Sequence, residues 1–317
     1  MAEAETGQRA ALVTDDVGKR YGDTVALDGV SLSIPAGEVF GLVGPNGAGK
    51  TTLVRALTGT TRCEGSISVL GAEPNAVDPQ RVGLLPQSFH PADRLTAREL
   101  VAYYAGLYDE ARPVDAILDD VGLADDADTW YENLSGGQRR RACVGTALVN
   151  DPDVLFLDEP TTGIDPAGRR ALWALVDDLA AGGTTVLLTS HSMTEVERLA
   201  DRVGLLRDGS LVAVGSPNEL IADHGGDSHL LVDGAALDAA VVGAALDADV
   251  RERDGRLVVR NVALAEVGDI VADLEAANVD FDSFTWAEPS LEDVYLRLTG
   301  EEMADAGTDR VLGEGAQ

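Results

Sequence analysis

The chain has 317 residues, 45% of them apolar, and a formal net charge of −31 at pH 7. That length suits one large domain and one smaller one. No run of eighteen apolar residues occurs, so no transmembrane helix is expected, and the acidity argues against nucleic acid or anionic lipid as a partner.

Cys63 and Cys143 are the only cysteines. They are too few for a disulfide framework and suit a reducing compartment. The acidic start, Met1-Ala2-Glu3-Ala4-Glu5-Thr6, predicts no secretory signal. Lys19 and Lys50 are the only lysines among 24 basic residues. Such a surface reads as one adapted to high salt, as in halophilic organisms.

Residues 1–10 are expected to be disordered. Ala11-Leu12-Val13 and Thr24-Val25-Ala26-Leu27 flank a Gly22-Asp23 turn, and Val30 to Ile34 alternates apolar and polar residues up to Pro35. These read as short antiparallel strands with one face buried. Glu38 to Val43 is a buried strand, and Thr52 to Leu57 reads as a helix after a glycine-rich loop. Asp93 to Leu134 predicts helix, clearest over Ala97 to Tyr104, with Leu100, Tyr103, Tyr104 and Leu107 as its apolar stripe. Val154 to Leu157 is another buried strand. Asp165 caps a helix that Pro166 opens and Gly182-Gly183 ends. Thr185 to Leu188 is a strand leading to Ser190-His191, and Arg202 to Leu206 with Leu211 to Val214 forms a hairpin around Asp208-Gly209. Strands alternating with helices imply a mainly parallel sheet covered on both faces.

The pattern changes near Asp223 to Asp227. A strand (Leu230 to Val232), a helix (Leu237 to Leu246), a hairpin around Asp254-Gly255, a helix (Val267 to Ala276) and a strand (Phe281 to Trp286) follow. This β-α-β-β-α-β order suggests a small α+β domain. A short helix, Leu291 to Leu298, comes next, with Leu291, Val294, Tyr295 and Leu298 as its stripe. Residues 301–317 are polar and glycine-rich, and are expected to be disordered.

Gly44-Pro45-Asn46-Gly47-Ala48-Gly49-Lys50-Thr51 fits G-x4-G-K-T. Its glycines let backbone N–H groups turn inward on phosphates, and Lys50 brings a cation to the β and γ oxygens. Thr51 offers a hydroxyl to Mg²⁺. A strand before the loop and a helix after it supply the context this motif requires. Val154 to Leu157 lifts Asp158 to a strand's carboxyl end, where ligands bind in open α/β sheets. There Asp158 would hold Mg²⁺ and Glu159 would take a proton from attacking water; the plainer reading is a solvated Asp-Glu-Pro turn. Ser135-Gly136-Gly137 opens a helix whose free N–H groups attract anions. Arg139-Arg140-Arg141 reads as helix-surface or interface arginine. His90, His224 and His229 have no assigned role.

In order and spacing, Lys50, Gln87, Leu134-Ser135-Gly136-Gly137-Gln138, Asp158-Glu159, Asp165 and His191 resemble the ATP-binding cassette family over about residues 11–220. LSGGQ is the most specific part. The resemblance implies a phosphate-loop NTPase (RecA-like) α/β core with an antiparallel β subdomain and an inserted helical subdomain. The core would span 11–222, the helical insert about 89–149, and the α+β accessory domain 227–300. It implies that Tyr21 stacks on adenine and that Gly44 to Thr51, with Thr52, cradle ATP. It further implies that Thr51, Gln87 and Asp158 serve Mg²⁺ and that Glu159, Gln87 and His191 serve hydrolysis. Ser135, Gly136, Gly137 and Gln138 would meet the nucleotide of an opposite subunit, with Asp165 linking the two sites. The implied enzyme is an ATPase subunit working as a homodimer or paralogous heterodimer on the cytoplasmic face of the membrane, held there by a separate permease subunit, with no nucleic acid partner.

Glu288 to Gly300 resembles the tail of drug- and antibiotic-export ATPases, the daunorubicin-resistance-like branch, and implies export. The small domain is then expected to help dimerise or regulate the ATPase. An importer ATPase and a soluble ATP-driven clamp of the same superfamily remain open at this point. A non-hydrolysing nucleotide sensor is disfavoured by the intact Glu159 and His191.

Overall fold

The computed structural model describes residues 9–300 apart from Ala235, Ala236, Asp247, Asp249, Asp254 and Asn278. The disorder expected over residues 1–8 and 301–317 and the first residue of the Asp254-Gly255 turn lie outside these, whereas Ala10, expected to be disordered, pairs with Pro35 as the first residue of a strand. Two compact units divide the chain near Pro217–Asn218.

In the first unit β1 (Ala10–Tyr21) and β2 (Thr24–Pro35) form a long antiparallel hairpin. The separate short strands expected here are two continuous twelve-residue strands, with bulges where the alternation breaks. Then come β3 (Val39–Val43), α1 (Lys50–Leu57), β4 (Glu64–Val69) and β5 (Val82–Leu85). β4 pairs with β1, giving a three-stranded antiparallel sheet in the order β2-β1-β4.

The helical segment contains α2 (Ala97–Ala105), α3 (Val114–Asp120) and α4 (Gly136–Thr146). The region expected to be helical over Asp93 to Leu134 holds α2, α3 and a 3-10 turn at Tyr131–Asn133, joined by turns. Its stripe is also different. Ala97, Leu100 and Val101 are buried, whereas Tyr103 is 61% and Leu107 63% exposed. α2 is only nine residues long and ends before Leu107, so the run of apolar spacing outlasts the helix that should carry it.

β6 (Val154–Asp158), α5 (Pro166–Ala181), β7 (Thr185–Ser190), α6 (Met193–Leu199), β8 (Arg202–Arg207) and β9 (Ser210–Gly215) complete the unit. The six-stranded sheet runs β5-β6-β7-β3-β8-β9, parallel except for β9. Every residue of β3, β6 and β7 is buried, as expected for parallel strands covered on both faces. Phe40, Leu42, Leu53, Phe156, Leu187 and Leu206 meet in one core. Burial of a side chain of this kind contributes roughly 1.5–3 kcal/mol.

The second unit opens with a short α7 (Pro217–Leu220), which straddles the boundary, and a π turn at Ile221–Gly225. It contains β10 (His229–Asp233), α8 (Ala239–Leu246), β11 (Val250–Arg253), β12 (Arg256–Arg260), α9 (Val267–Ala276), β13 (Ser283–Ala287) and α10 (Leu291–Thr299). The strands form an antiparallel sheet in the order β11-β12-β10-β13. Leu230, Val232, Val242, Leu257, Val259 and Leu274 fill its core. In α10 the buried residues are Leu291, Val294 and Tyr295, while Leu298 is 38% exposed. Among the described residues no helix is long and apolar enough to cross a membrane.

Candidate nucleotide site

Three neighbouring strands position the site. β6, β7 and β3 lie side by side and parallel, with Asp158 beside Thr189 and Val43 beside Ser190. Their carboxyl ends therefore share one edge of the sheet. The loop after Val43, the acidic pair at Asp158-Glu159 and His191 all emerge there, where open α/β sheets bind ligands.

The glycine-rich loop lies hard against the chain beneath it. Gly49 has φ 111°, and a Cβ on it would stand 2.4 Å from the Ala26 carbonyl oxygen. A Cβ on Gly44 would stand 2.2 Å from the Leu206 carbonyl oxygen. Gly49 caps α1 with no side chain on the helix's first N–H groups, so these donors face an anion site. Ala26, Asn46, Gly47, Gly49, Lys50, Thr51, Thr52, Gln87 and Glu159 line a cleft of about 290 Å³. Lys50 is 5% exposed and donates to the Gly44 (2.6 Å) and Pro45 (3.1 Å) carbonyls. Burial pushes its pKa down, while the Glu159 and Asp158 carboxylates pull it up. A cation held out of water by neutral carbonyls is a ready partner for phosphate.

Glu159 is the centre of the constellation. One carboxylate oxygen accepts from Gln87 Nε2 at 3.2 Å and Thr162 Oγ1 at 3.2 Å, and lies 3.6 Å from His191 Nδ1. The other is 3.8 Å from Lys50 Nζ. Its backbone sits at φ 48°, a left-handed conformation that costs a non-glycine residue roughly 1–3 kcal/mol. Its N–H donates to the Thr189 hydroxyl oxygen (3.0 Å), and that hydroxyl donates to Asp158 Oδ1 (2.6 Å). Asp158 shares a second cleft of about 290 Å³ with Thr51 and Gln87. The three offer only oxygen and amide groups, the donor chemistry a hard cation such as Mg²⁺ takes.

Ser135 caps α4 and forms a reciprocal capping box with Gln138. Ser135 and Gly136 are exposed. Among the described residues no hydrogen bond or ion pair joins residues 135–138 to residues 44–52 of the same chain. Gln138 was expected at a nucleotide. Its amide is committed instead to the Ser135 N–H (2.8 Å) and to Asp126 (2.6 Å), so it shapes the loop. Asp165 caps α5 through the Gly168 N–H at 2.7 Å. Tyr21 is 46% exposed at the end of β1, with the Lys19 ammonium 5.0 Å from its ring centre. It does not line the phosphate cleft.

The arginine run is half-buried, and each guanidinium is tied to backbone carbonyls. Arg139 donates to the Tyr131 and Glu132 carbonyls, and Arg141 to those of Val121 and Gly122. Arg140 donates to three successive carbonyls, Asp158 and Pro160 at 2.9 Å and Glu159 at 2.8 Å. The turn that carries these arginines precedes Ala142 to Thr146, which are small or apolar and buried, so it lies where α4 enters the protein. Glu195 also escaped the sequence reading. It is 2% exposed and accepts from Ser190 Oγ (2.6 Å), Thr161 Oγ1 (2.9 Å) and Trp173 Nε1 (3.3 Å). It thus ties the turn after Glu159 to the strand end before His191.

A buried lysine in a glycine cradle, with an acidic pair at the end of a strand one place removed in the same sheet, defines the site of a phosphate-loop ATPase. The comparisons narrow that class. The ABC transporter family profile matches residues 27–162. Daunorubicin resistance ATP-binding protein DrrA3 of Streptomyces coeruleorubidus is 39% identical, across 92% of this chain and 96% of its own length. Nod factor export ATP-binding protein I of Rhizobium meliloti (strain 1021) is 37% identical, across 93% and 90%. Linearmycin resistance ATP-binding protein LnrL of Bacillus subtilis (strain 168) is 34% identical, across 93% and 100%. Among solved structures, a nucleotide-free ATP-binding cassette from an ABC transporter superposes with TM-score 0.61 at 26% identity, over 68% of this chain and 94% of that one. The chain belongs to the ATP-binding cassette transporter family. It is an ATP-binding, ATP-hydrolysing subunit homologous to export ATPases, associated with a membrane through a partner.

Proposed function

We propose that this chain powers an export permease by closing head to tail with a second copy, or with a close paralogue, around two ATP molecules. The observation that carries this reading is the convergence on Glu159 of Lys50, Gln87, Thr162 and His191, while the exposed Ser135-Gly136 end of α4 makes no hydrogen bond to the phosphate loop of its own chain among the described residues. Lys50 and the N–H groups of α1 bind the phosphates. Thr51, Gln87 and Asp158 suit Mg²⁺, which would draw charge from the β and γ oxygens. Glu159 accepts the proton of the attacking water, held by Gln87 and His191. The Ser135 hydroxyl and the N–H groups of Gly136 and Gly137 take the γ-phosphate held by the other copy, so closure depends on a group that hydrolysis removes. Tyr21 offers an exposed ring to adenine. The export direction is supported by the relatives, two named for drug resistance and one for Nod factor export. The chain then works on the cytoplasmic face of the membrane.

The Glu159→Gln variant tests this. Turnover is expected to fall by about 10²–10⁴, the usual contribution of a general base. With ATP and Mg²⁺ the variant should elute as a stable dimer, and without them as a monomer. A monomer at saturating ATP would sink the shared seam.

A further inference from the structure

We propose that Arg140 is the positioning residue through which α4 holds Glu159 of its own chain in working geometry. The inference rests on the roles proposed above for Ser135 and Glu159. Arg140 belongs to the same short helix that Ser135 caps, five residues further on, about 7.5 Å along the axis. Its guanidinium spans the carbonyls of Asp158, Glu159 and Pro160 and makes no ion pair among the described residues. Burial pushes its pKa down, with the Asp158 and Glu159 charges among the opposing causes.

Three consecutive carbonyls held by one rigid fork fix the peptide planes on both sides of Glu159. That is where the backbone is left-handed, at φ 48°. The other end of the helix bears on the same segment. A Cβ on Gly136 would lie 3.3 Å from the Gly163 carbonyl oxygen, and one on Gly137 3.6 Å from Asp165 Oδ2. The α4 helix therefore touches the stretch from Asp158 to Asp165 at two points. Whatever seats Ser135 against the opposite nucleotide also seats the backbone behind Glu159. Each copy's signature loop and catalytic carboxylate move as one piece, and a nucleotide caught at one site bears on water activation at the other.

The test is kinetic, on the full chain with Mg²⁺-ATP, comparing Arg140→Lys and Arg140→Gln with the parent. Lysine keeps the charge but lacks the planar fork. Turnover should fall about 10-fold for lysine and about 100-fold for glutamine, with ATP affinity within about threefold of the parent. In a Glu159→Gln background, Arg140→Lys should lower the residual rate no further, because both act on one step. Parental turnover in both variants overturns the proposal. So does a loss of turnover that tracks ATP affinity and melting temperature, or one that adds fully to Glu159→Gln. Should Arg140→Gln fail to fold, the lysine variant and its double mutant decide. A Glu159→Gln protein that hydrolyses normally overturns the Glu159 role and this inference with it, whereas failure of the Arg140 variants alone leaves that role standing.

Discussion

Gly49 is held at φ 111°, and the Ala26 carbonyl lies 2.4 Å from where its Cβ would be. Both facts come from tertiary packing, yet the sequence pattern already reserved glycine for this place. Gly49→Ala must move backbone, since the clashing atom is a carbonyl oxygen. It is expected to cost more than about 1 kcal/mol in denaturant unfolding and to abolish ATP binding by fluorescence titration; near-parental values for both would count against a loop this tight. Glu159 was readable as a proton acceptor from its place at a strand's carboxyl end, and a role for His191 in hydrolysis from the family resemblance alone. Their shared contacts were not, because Gln87 lies 72 residues from Glu159 and meets it only when β5 and β6 pair. Arg140 and Glu195 were invisible for the same reason. A charged residue in a helix usually faces water, and only the packed neighbours reveal one that binds carbonyls or hydroxyls instead.

Element ends were the most legible features. Asp165-Pro166 announced α5, and the Asp165 carboxylate does accept from Gly168 N–H. Asp165→Ala is expected to lose about 1 kcal/mol of unfolding free energy, measured by urea denaturation. An unchanged midpoint would mean that water or a neighbour takes over the cap. The hairpin at Asp208-Gly209 likewise follows from turn chemistry, with φ of 48° and 82°. Short half-buried strands were missed. β4 carries Glu64-Gly65-Ser66 at its start and β5 is four residues long, so neither shows enough periodicity to stand out. The α2 stripe misled in the opposite sense. Tyr103 and Leu107 continue an apolar spacing on a face that α3 and α4 do not cover, and both side chains remain in solvent.

For the whole molecule the largest number is the net charge of −31. Like charges at this density oppose compaction, and salt screens them over about 8–10 Å at physiological strength and about 3 Å at 1 M. Melting temperature is therefore expected to rise by at least about 5 °C between dilute buffer and molar KCl; a flat dependence would show that the carboxylates are already balanced locally. The nature of the machine was written in the order of its motifs: a phosphate loop after one buried strand, an acidic pair after another, and LSGGQ before a helix. Each is a local event, set by turn chemistry and by residues adjacent in the chain. Which of these events meet is a matter of strand order. β3 lies between β7 and β8, and β6 between β5 and β7, an arrangement that depends on how buried strands and their helices pack together. Only that packing brings Lys50, Gln87, Glu159 and His191 within a few ångströms and puts Arg140 behind them. Such contacts join residues tens of positions apart, where no local propensity reaches.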